Sequence, residues 1–181
     1  MKTIFIFLAP GFEETEAITT ADILKRAGLC VQLVSIDETL NVTGAHEITV
    51  LADSLFDETD FSEGEMLVLP GGMPGTKNLD KHTGLKKLIA DYYAQGKLIS
   101  AICAAPIVLG NMGILEGEKA TSYPGYETHL LGAEVTDERV VVSGQFITAK
   151  GPGAAAEFGL KIVEIIKGKN IADKTGEVFI L

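Results

Sequence analysis

The stretch SAICAAP, residues 100–106, leads from an apolar strand pattern through one cysteine into small residues that favour a helix. A cysteine at such a junction lies beside the first backbone N–H groups of the helix, which have no partner within the helix. This position favours the thiolate, which is the reactive form of cysteine. A cysteine in an apolar segment can equally be a small, inert core residue. The stretch therefore leaves two interpretations of Cys103 open, a nucleophile and a core thiol.

Short apolar segments alternate with amphipathic segments along the rest of the chain. The predicted strands are residues 3–8, 30–36, 66–69 and 98–102, with hairpins over 41–51 and 135–148. The predicted helices are residues 14–27, 85–94, 104–111 and, as the last helix, 154–167. This alternation is typical of an α/β fold with a mainly parallel sheet. A chain of 181 residues with 46% hydrophobic content is expected to form one domain over residues 1–181.

Composition disfavours several classes of partner. Fifteen Lys and Arg residues against 25 Asp and Glu give a net charge of −10, so nucleic-acid binding is not expected. The apolar start, residues 1–8, meets Pro10 and then acidic residues, so it is interpreted as a buried strand and not as an export signal. No apolar run approaches the roughly 20 residues that a membrane span requires.

The two cysteines and three histidines do not form a framework of disulfides or metal ligands. Cys30, on the second predicted strand, is expected in the core, and a reducing cytoplasm is the expected location. The histidines, at 46, 82 and 129, are scattered and are expected on the surface, so no metal is expected. Neither a dinucleotide fingerprint nor a Walker pattern occurs, and no cofactor is expected.

Reactive groups of open α/β sheets gather at the carboxyl ends of the strands. Four features of this chain fall there: residues 10–16, residues 71–75, Cys103 and residues 151–153. Glu16 is the candidate partner for Cys103, because a carboxyl that points inward beside a thiol is desolvated and its pKa rises. The alternative is that the three glutamates at 13, 14 and 16 only complement the positive end of a helix, and two of them are expected to do no more.

Backbone groups complete the candidate site. The N–H groups of Gly72 and Ala104 are predicted to face an oxygen bound to sulfur or carbon from two sides, as in an oxyanion hole. The alternative interpretation of the paired glycines, 71 and 72, is a tight turn without chemistry.

Four motifs together resemble the ThiJ/PfpI (DJ-1) superfamily, and most closely its DJ-1-like branch. They are FEETE at 12–16, LPGG at 69–72, AICAAP at 101–106 and KGPG at 150–153, in the order and spacing of that family. The resemblance covers essentially the whole chain. It implies a flavodoxin-like three-layer sandwich, with helices on both faces of the sheet, and a homodimer.

The resemblance also implies roles for particular residues. Cys103 would be the nucleophile at the elbow, Glu16 a protonated carboxyl that hydrogen-bonds it, and Gly72 and Ala104 the backbone donors. Arg26 would lie near the dimer interface beside the site. Members of the family are described as glyoxalases that act on methylglyoxal, protein deglycases, redox-responsive chaperones or proteases.

One position departs from the family pattern. Many members have a histidine before the proline that is Pro124 here, whereas this chain has Tyr123. A tyrosine can donate or accept a hydrogen bond, so Tyr123 is a possible accessory residue, but it is a poor base at neutral pH. Glyoxalase activity then requires that Glu16 transfers protons alone or that another histidine moves into reach. The protease or amidase activity, which also expects a histidine where this chain has Ala104, therefore receives little support.

Two functions are expected from these residues. The first is a cofactor-independent glyoxalase or deglycase that acts on methylglyoxal or early glycation adducts through Cys103 and Glu16. The alternative is a stress-protective chaperone or redox sensor in which Cys103 is oxidised to sulfinate.

Overall fold

A computed structural model describes residues 2–180 and contains an eleven-strand, six-helix arrangement over that range. The strands are β1 (Thr3–Leu8), β2 (Cys30–Ser35), β3 (Asn41–Thr43), β4 (Thr49–Leu51), β5 (Ser54–Leu55), β6 (Gly64–Leu69), β7 (Leu98–Ile102), β8 (Lys119–Ala120), β9 (Glu134–Val135), β10 (Val140–Ser143) and β11 (Phe146–Ala149). The helices are α1 (Glu14–Arg26), α2 (Gly75–Lys81), α3 (Thr83–Ala94), α4 (Pro106–Asn111), α5 (Ala155–Lys167) and α6 (Lys169–Phe179).

Seven of the strands form the central sheet in the order β10-β11-β7-β6-β1-β2-β5. Every neighbouring pair is parallel except β10 and β11, which form an antiparallel hairpin at one edge. Two small sheets lie beside it, the β3–β4 hairpin and the β8–β9 pair. The mainly parallel sheet with an antiparallel edge confirms the α/β expectation.

Alternate side chains of β1 show how the sheet separates two cores. Ile4 and Ile6 pack into the core that contains Phe158 of α5, whereas Phe5 and Phe7 pack into the core on the opposite face. Because both faces are covered, the strand is apolar at successive positions and not only at alternate ones. The layering is that of a flavodoxin-like sandwich, as predicted.

The expectation that helix 154–167 is the last one is wrong. Residues 152–154 form a short 3-10 turn, α5 ends at Lys167, and the chain continues into α6 after Gly168. Helix α6 has an apolar face of its own, with Ile171 and Phe179 packed against the core, but the predicted helices end before Gly168. The residues that it buries fully against its neighbours are small. Those residues are Ala172, Thr175 and Gly176. Helix α2 was likewise not predicted.

The expectation that Cys30 belongs to the core is also wrong. Cys30 is exposed at the first position of β2, where burial along the strand begins only three residues later. Its sulfur lies 3.6 Å from Thr3 Oγ1. Among the helices of the described range, none combines the length and apolarity that crossing a membrane requires.

Candidate active site

The backbone turns sharply at Cys103, between the end of β7 and the start of α4. Cys103 has φ +65°, a left-handed conformation that costs a residue other than glycine about 1–2 kcal/mol. Two backbone hydrogen bonds of 2.8 Å hold it there: its N–H donates to Ala149 O, and its carbonyl accepts from Tyr123 N. The left-handed turn delays the helix to Pro106, two residues after its predicted start. Such an elbow projects the thiol from the sheet edge into a cavity.

Glu16, in the first turn of α1, is fully buried beside this elbow. Its Oε2 accepts a 2.7 Å hydrogen bond from the backbone N–H of Gly71, whereas its Oε1 is buried without a hydrogen-bond partner. A β-carbon added at Gly71 would lie 2.9 Å from Glu16 Oε2 and 2.6 Å from Cys103 Cβ. The two side chains therefore flank the same glycine, whose lack of a side chain lets them approach. Gly71 was not among the predicted site residues, although the paired glycines after β6 marked its position.

The two buried groups perturb each other's protonation. Burial raises the pKa of Glu16 to about 7, although the Gly71 N–H and Cys103 oppose the increase. With Glu16 ionised, burial and the charge of that carboxylate raise the pKa of Cys103 to about 12. The shared proton therefore rests on the sulfur, and the expectation that this position favours the thiolate is wrong for the resting site, because burial and the neighbouring carboxylate outweigh the backbone N–H groups. The reactive thiolate forms only when Glu16 takes that proton. The orphaned Oε1 is the atom on which the proton is most easily accommodated.

Two backbone N–H groups also act on the sulfur. Those of Gly72 and Ala104 lower the pKa of Cys103 and thus favour negative charge at this position. Gly72 has φ +88°, and a β-carbon there would lie 2.4 Å from Glu13 N, so only glycine fits this turn. The arrangement has the form of an oxyanion hole.

The thiol opens into a cavity of about 220 Å³. It is lined by Glu13, Gly72, Met73, Cys103, Ala104, Tyr123, Tyr126 and Pro152. Tyr123 and Tyr126 meet edge to face with centroids 6.3 Å apart. A β-carbon at Gly151 would lie 3.1 Å from the Tyr123 ring and 4.0 Å from Cys103 Sγ, which explains the glycine there. Tyr126 and Met73 belong to this wall without having been predicted, because no local pattern marks them.

Arg26 is not brought to the site within the chain. It lies at the end of α1 opposite to Glu16, about 15 Å further along the helix axis. Its side chain pairs with Asp22 at 2.8 Å and lies over the Phe179 ring of α6. The resemblance placed Arg26 beside the site, and nothing within this chain puts it there.

No histidine of the described residues lines the cavity. His82 caps α3 by accepting a hydrogen bond from Leu85 N, and His129 lies in a 3-10 turn beside Tyr126. His46 is exposed, as expected, but its Nδ1 lies 2.8 Å from Glu14 Oε2. The expectation that two of the three glutamates only complement the helix is therefore wrong for Glu14, which is buried and holds the β3–β4 hairpin.

One group of side chains in residues 2–180 has the composition of a metal site. Ligand atoms of Glu13, Glu14 and His46 lie within 4.8 Å of one another. The carboxylate of Glu14 is already engaged there by the His46 ring and by the backbone N–H groups of His46 and Ile48. A cation would have to displace the ring contact, so the group serves as a latch between α1 and the hairpin.

The fold and the site together define a class of protein: a flavodoxin-like sandwich that presents a cysteine at a strand-to-helix elbow beside a buried glutamate. The comparisons with known proteins give the family. The chain belongs to the DJ-1/PfpI family, whose profile matches residues 2–165, and within it to the DJ-1-like branch.

Three relatives illustrate this membership. Protein dj-1beta of Drosophila melanogaster is 37% identical over 93% of this chain and 91% of its own length. Protein DJ-1 homolog A of Arabidopsis thaliana is 35% identical over 99% of this chain but 47% of its own length, so the chain spans about half of that relative. The structure of oxidized Toxoplasma gondii DJ-1 superposes with a TM-score of 0.96 at 34% identity, covering 99% of this chain and 98% of that one.

Proposed function

We propose that the protein converts small α-oxoaldehydes such as methylglyoxal, or the early adducts they form with amines, into hydroxy acids without a cofactor. The observation that carries the proposal is the Glu16 carboxyl, which is buried beside the Cys103 thiol and has a pKa of about 7. A carboxyl with a pKa near the working pH is suited to both take and return a proton. The cavity of about 220 Å³ matches a small carbonyl substrate.

The proposed reaction begins when the Glu16 carboxylate takes the thiol proton as the sulfur of Cys103 attacks the aldehyde carbon. Glu16 returns this proton to the developing alkoxide, which the N–H groups of Gly72 and Ala104 stabilise, and a hemithioacetal results. Glu16 then takes the proton from carbon 1 and delivers it to carbon 2, while the hydroxyl proton moves from O1 to O2. The product is a lactoyl thioester, and water releases lactate and restores the thiol.

Tyr123 takes no part in proton transfer in this scheme. A phenol is a poor base at neutral pH, so the position that carries a histidine in many relatives contributes an apolar wall here. Glu16 then carries the proton of the thiol and the proton that moves between the two carbons.

The test is lactate formation from methylglyoxal in the absence of glutathione. Cys103→Ser and Glu16→Gln are each expected to lower the rate at least about 100-fold, because each removes a group that acts on the reacting atoms. Tyr123→Phe is expected to stay within about threefold of the parent, and Cys30→Ser, at an exposed position away from the cavity, is the matched control. A parent rate equal to that of Cys103→Ser contradicts the proposal.

A redox-sensing function is the second candidate, favoured by the donors around the sulfur. The N–H groups of Gly72 and Ala104, which favour negative charge at the sulfur, and a protonated Glu16 would hold the oxygens of a sulfinate on Cys103. A relative of this fold, Toxoplasma gondii DJ-1, has been solved in an oxidized state.

Intact-protein mass after mild peroxide treatment tests this second function. Two added oxygens are expected on Cys103 in a Cys30→Ser background, which removes the exposed competing thiol. If Cys103 stays reduced while Cys30 of the parent oxidises, the sensor function has no support.

We further propose a homodimer in a reducing compartment such as the cytoplasm. Both cysteines are free, as a reducing compartment favours. Apolar side chains are exposed on α1 and on the hairpin latched to it, at Ile18, Ile48 and Leu51. Exposed apolar groups on neighbouring elements favour association.

A further inference from the structure

Glu13 occupies the N-cap position of α1 but does not cap the helix. Its backbone is extended, with φ −81° and ψ 112°, and its side chain accepts no hydrogen bond from the first turn. N-cap residues ordinarily use a short polar side chain to satisfy those N–H groups. The helix therefore leaves the Glu13 carboxylate free for another role.

The carboxylate of Glu13 instead lines the cavity above Cys103. Its side chain is 13% exposed, and within residues 2–180 it forms no hydrogen bond. The nearest group of opposite charge is His46, whose Nδ1 lies 3.7 Å from Glu13 Oε2 and is shared with Glu14 at 2.8 Å. A largely buried carboxylate without a hydrogen bond costs free energy, because it has lost most of its hydration. A cationic or hydrogen-bond-donating ligand would offset that cost.

The side chains of the rest of the cavity wall have the same preference, whereas the backbone N–H groups of Gly72 and Ala104 favour negative charge at the sulfur itself. No Lys or Arg of the described range lines it, whereas the rings of Tyr123 and Tyr126 do. Aromatic faces attract cations. Glu16 lies behind the sulfur and interacts with Glu13 through charge. An anionic molecule that approaches the thiol would thus pass a carboxylate and two aromatic rings, and only the Gly72 and Ala104 N–H groups beside the sulfur would favour it.

We infer that Glu13 is a specificity-determining residue that makes the Cys103 cavity select carbonyl compounds by charge. Compounds with a cationic group next to the reacting carbon, such as adducts on guanidinium or ammonium groups, are favoured. Neutral oxoaldehydes are accepted, and carboxylate-bearing ones such as 4,5-dioxopentanoate are disfavoured. The inference rests on the proposed function only in taking Cys103 as the reacting group.

Charged thiol reagents test the inference without requiring turnover. Three methanethiosulfonates are used in a Cys30→Ser background: the trimethylammonioethyl cation, the neutral methyl compound and the sulfonatoethyl anion. In each case the sulfur of Cys103 forms a mixed disulfide and methanesulfinate leaves. The cation-to-anion ratio of rate constants is divided by the same ratio for 2-mercaptoethanol, which removes the intrinsic reactivity of the reagents. The rate constant with the neutral reagent corrects for any change that a substitution makes in the reactivity of the Cys103 thiol.

The corrected ratio is expected to exceed about tenfold in the parent, as a carboxylate a few ångströms from the reacting group implies. Glu13→Gln is expected to lower it about fivefold or more, and Glu13→Asp to retain part of the preference. Asp91→Asn, an exposed carboxylate on α3, changes the net charge equally and is expected to leave the ratio unchanged. A parent ratio near one overturns the inference. So does an equal fall in Glu13→Gln and Asp91→Asn, which would assign the preference to overall charge.

A second comparison separates this inference from the proposed function. Lactate formation from methylglyoxal is measured beside 2-hydroxyglutarate formation from 4,5-dioxopentanoate, an α-oxoaldehyde that carries a carboxylate. Glu13→Gln is expected to raise the relative rate with 4,5-dioxopentanoate about fivefold. If the reagents show charge selection but neither compound is turned over, the role of Glu13 is supported and the glyoxalase function is contradicted. If methylglyoxal is turned over but the reagents show no charge selection, the glyoxalase function is supported and the role of Glu13 is contradicted.

Discussion

Glu16 is a carboxyl that the fold keeps buried at a cost, and this cost depends on pH. Its pKa is raised to about 7, whereas an unfolded chain has the ordinary value near 4.5. Between these values the native state binds more protons than the unfolded state, so the contribution of Glu16 to stability falls as pH rises. The destabilisation is complete above about pH 7, where the buried carboxyl is ionised in the native state as well.

Replacing Glu16 with glutamine is therefore expected to stabilise the protein more at high pH than at low pH. The difference in free energy of unfolding between Glu16→Gln and the parent should grow by about 2–3 kcal/mol from about pH 5 to about pH 8. Urea unfolding at several pH values measures it. Asp91→Asn, at an exposed position, provides the control, and a difference independent of pH would contradict the assignment of a raised pKa.

Gly71 lets the thiol and the carboxyl approach, so a side chain there should disrupt both. A β-carbon at Gly71 would lie 2.6 Å from Cys103 Cβ and 2.9 Å from Ile102 O, and neither can move freely. Gly71→Ala is expected to destabilise the protein by about 1–3 kcal/mol and to abolish lactate formation. Thermal unfolding and the lactate assay measure the two effects. Gly153→Ala is the matched control, because a β-carbon there meets nothing within 4 Å, and it should stay within about 0.5 kcal/mol of the parent.

At the scale of elements, the first turn of α1 joins the site to the β3–β4 hairpin. Burial alone would raise the pKa of Glu14, but hydrogen bonds from the His46 ring and from backbone N–H groups, including those of His46 and Ile48, lower it overall. The hairpin also meets the loop after β1 through two backbone hydrogen bonds of 2.8 Å, Gly11 N to Thr43 O and Ala45 N to Phe12 O. The carboxylate of Glu14 thus adds a side-chain contact to the backbone hydrogen bonds that hold the hairpin.

Glu14→Ala is expected to destabilise the protein by about 2 kcal/mol, because it leaves the N–H groups of His46 and Ile48 without their acceptor. Amide hydrogen exchange should accelerate across residues 41–51 and remain slow in β6 and β7. His46→Ala should have a smaller effect, since the exposed ring makes one hydrogen bond to Glu14 and the backbone N–H groups keep theirs. If exchange in the hairpin is unchanged by Glu14→Ala, the backbone contacts alone hold it.

The stability that the Glu14 carboxylate gives to the hairpin should also depend on pH, in a direction that its lowered pKa determines. A carboxylate whose pKa is lowered in the native state contributes stability above its ordinary pKa and loses it as pH falls through the native value. Exchange across residues 41–51 in the parent should therefore accelerate on acidification, relative to β6, once the intrinsic pH dependence of exchange is removed. Glu14→Ala should lack this additional acceleration.

At the scale of the whole molecule, the unpartnered apolar side chains on α1 and the hairpin predict association. A sedimentation measurement is expected to give about twice the 19.2 kDa mass of the chain. Ile18→Lys, on the exposed face of α1, should shift the protein to the monomer by placing a charge in the interface. Val178→Lys, at an exposed apolar position on α6, serves as the comparison and should leave the mass unchanged. A parent that sediments as a monomer contradicts the dimer.

The sequence by itself determined the alternation of strands and helices and the edge of the sheet on which Cys103 lies. Those features depend on local patterns: apolar runs of strand length, the periodicity of α1 and α5, and glycines that break them. Helix α6 is amphipathic but was not predicted, because Gly168 interrupts the helical pattern after Lys167 and the fully buried residues of α6 are small. Cys30 was misplaced because the burial of a strand's first residue depends on what covers it.

Only the tertiary structure decided the different roles of the three glutamates at 13, 14 and 16. Glu13 lines the cavity, Glu14 holds the hairpin and Glu16 lies against the thiol, although all three share one helix terminus. The local pattern makes them equivalent, since each can complement the helix dipole. Their differences come from what lies opposite each side chain: an open cavity, backbone N–H groups of β3–β4 and a glycine after β6. Contacts between residues far apart in the chain, such as Glu16 with Gly71, exist only once the sheet has brought strand ends together, and they set the charge and reactivity of the site.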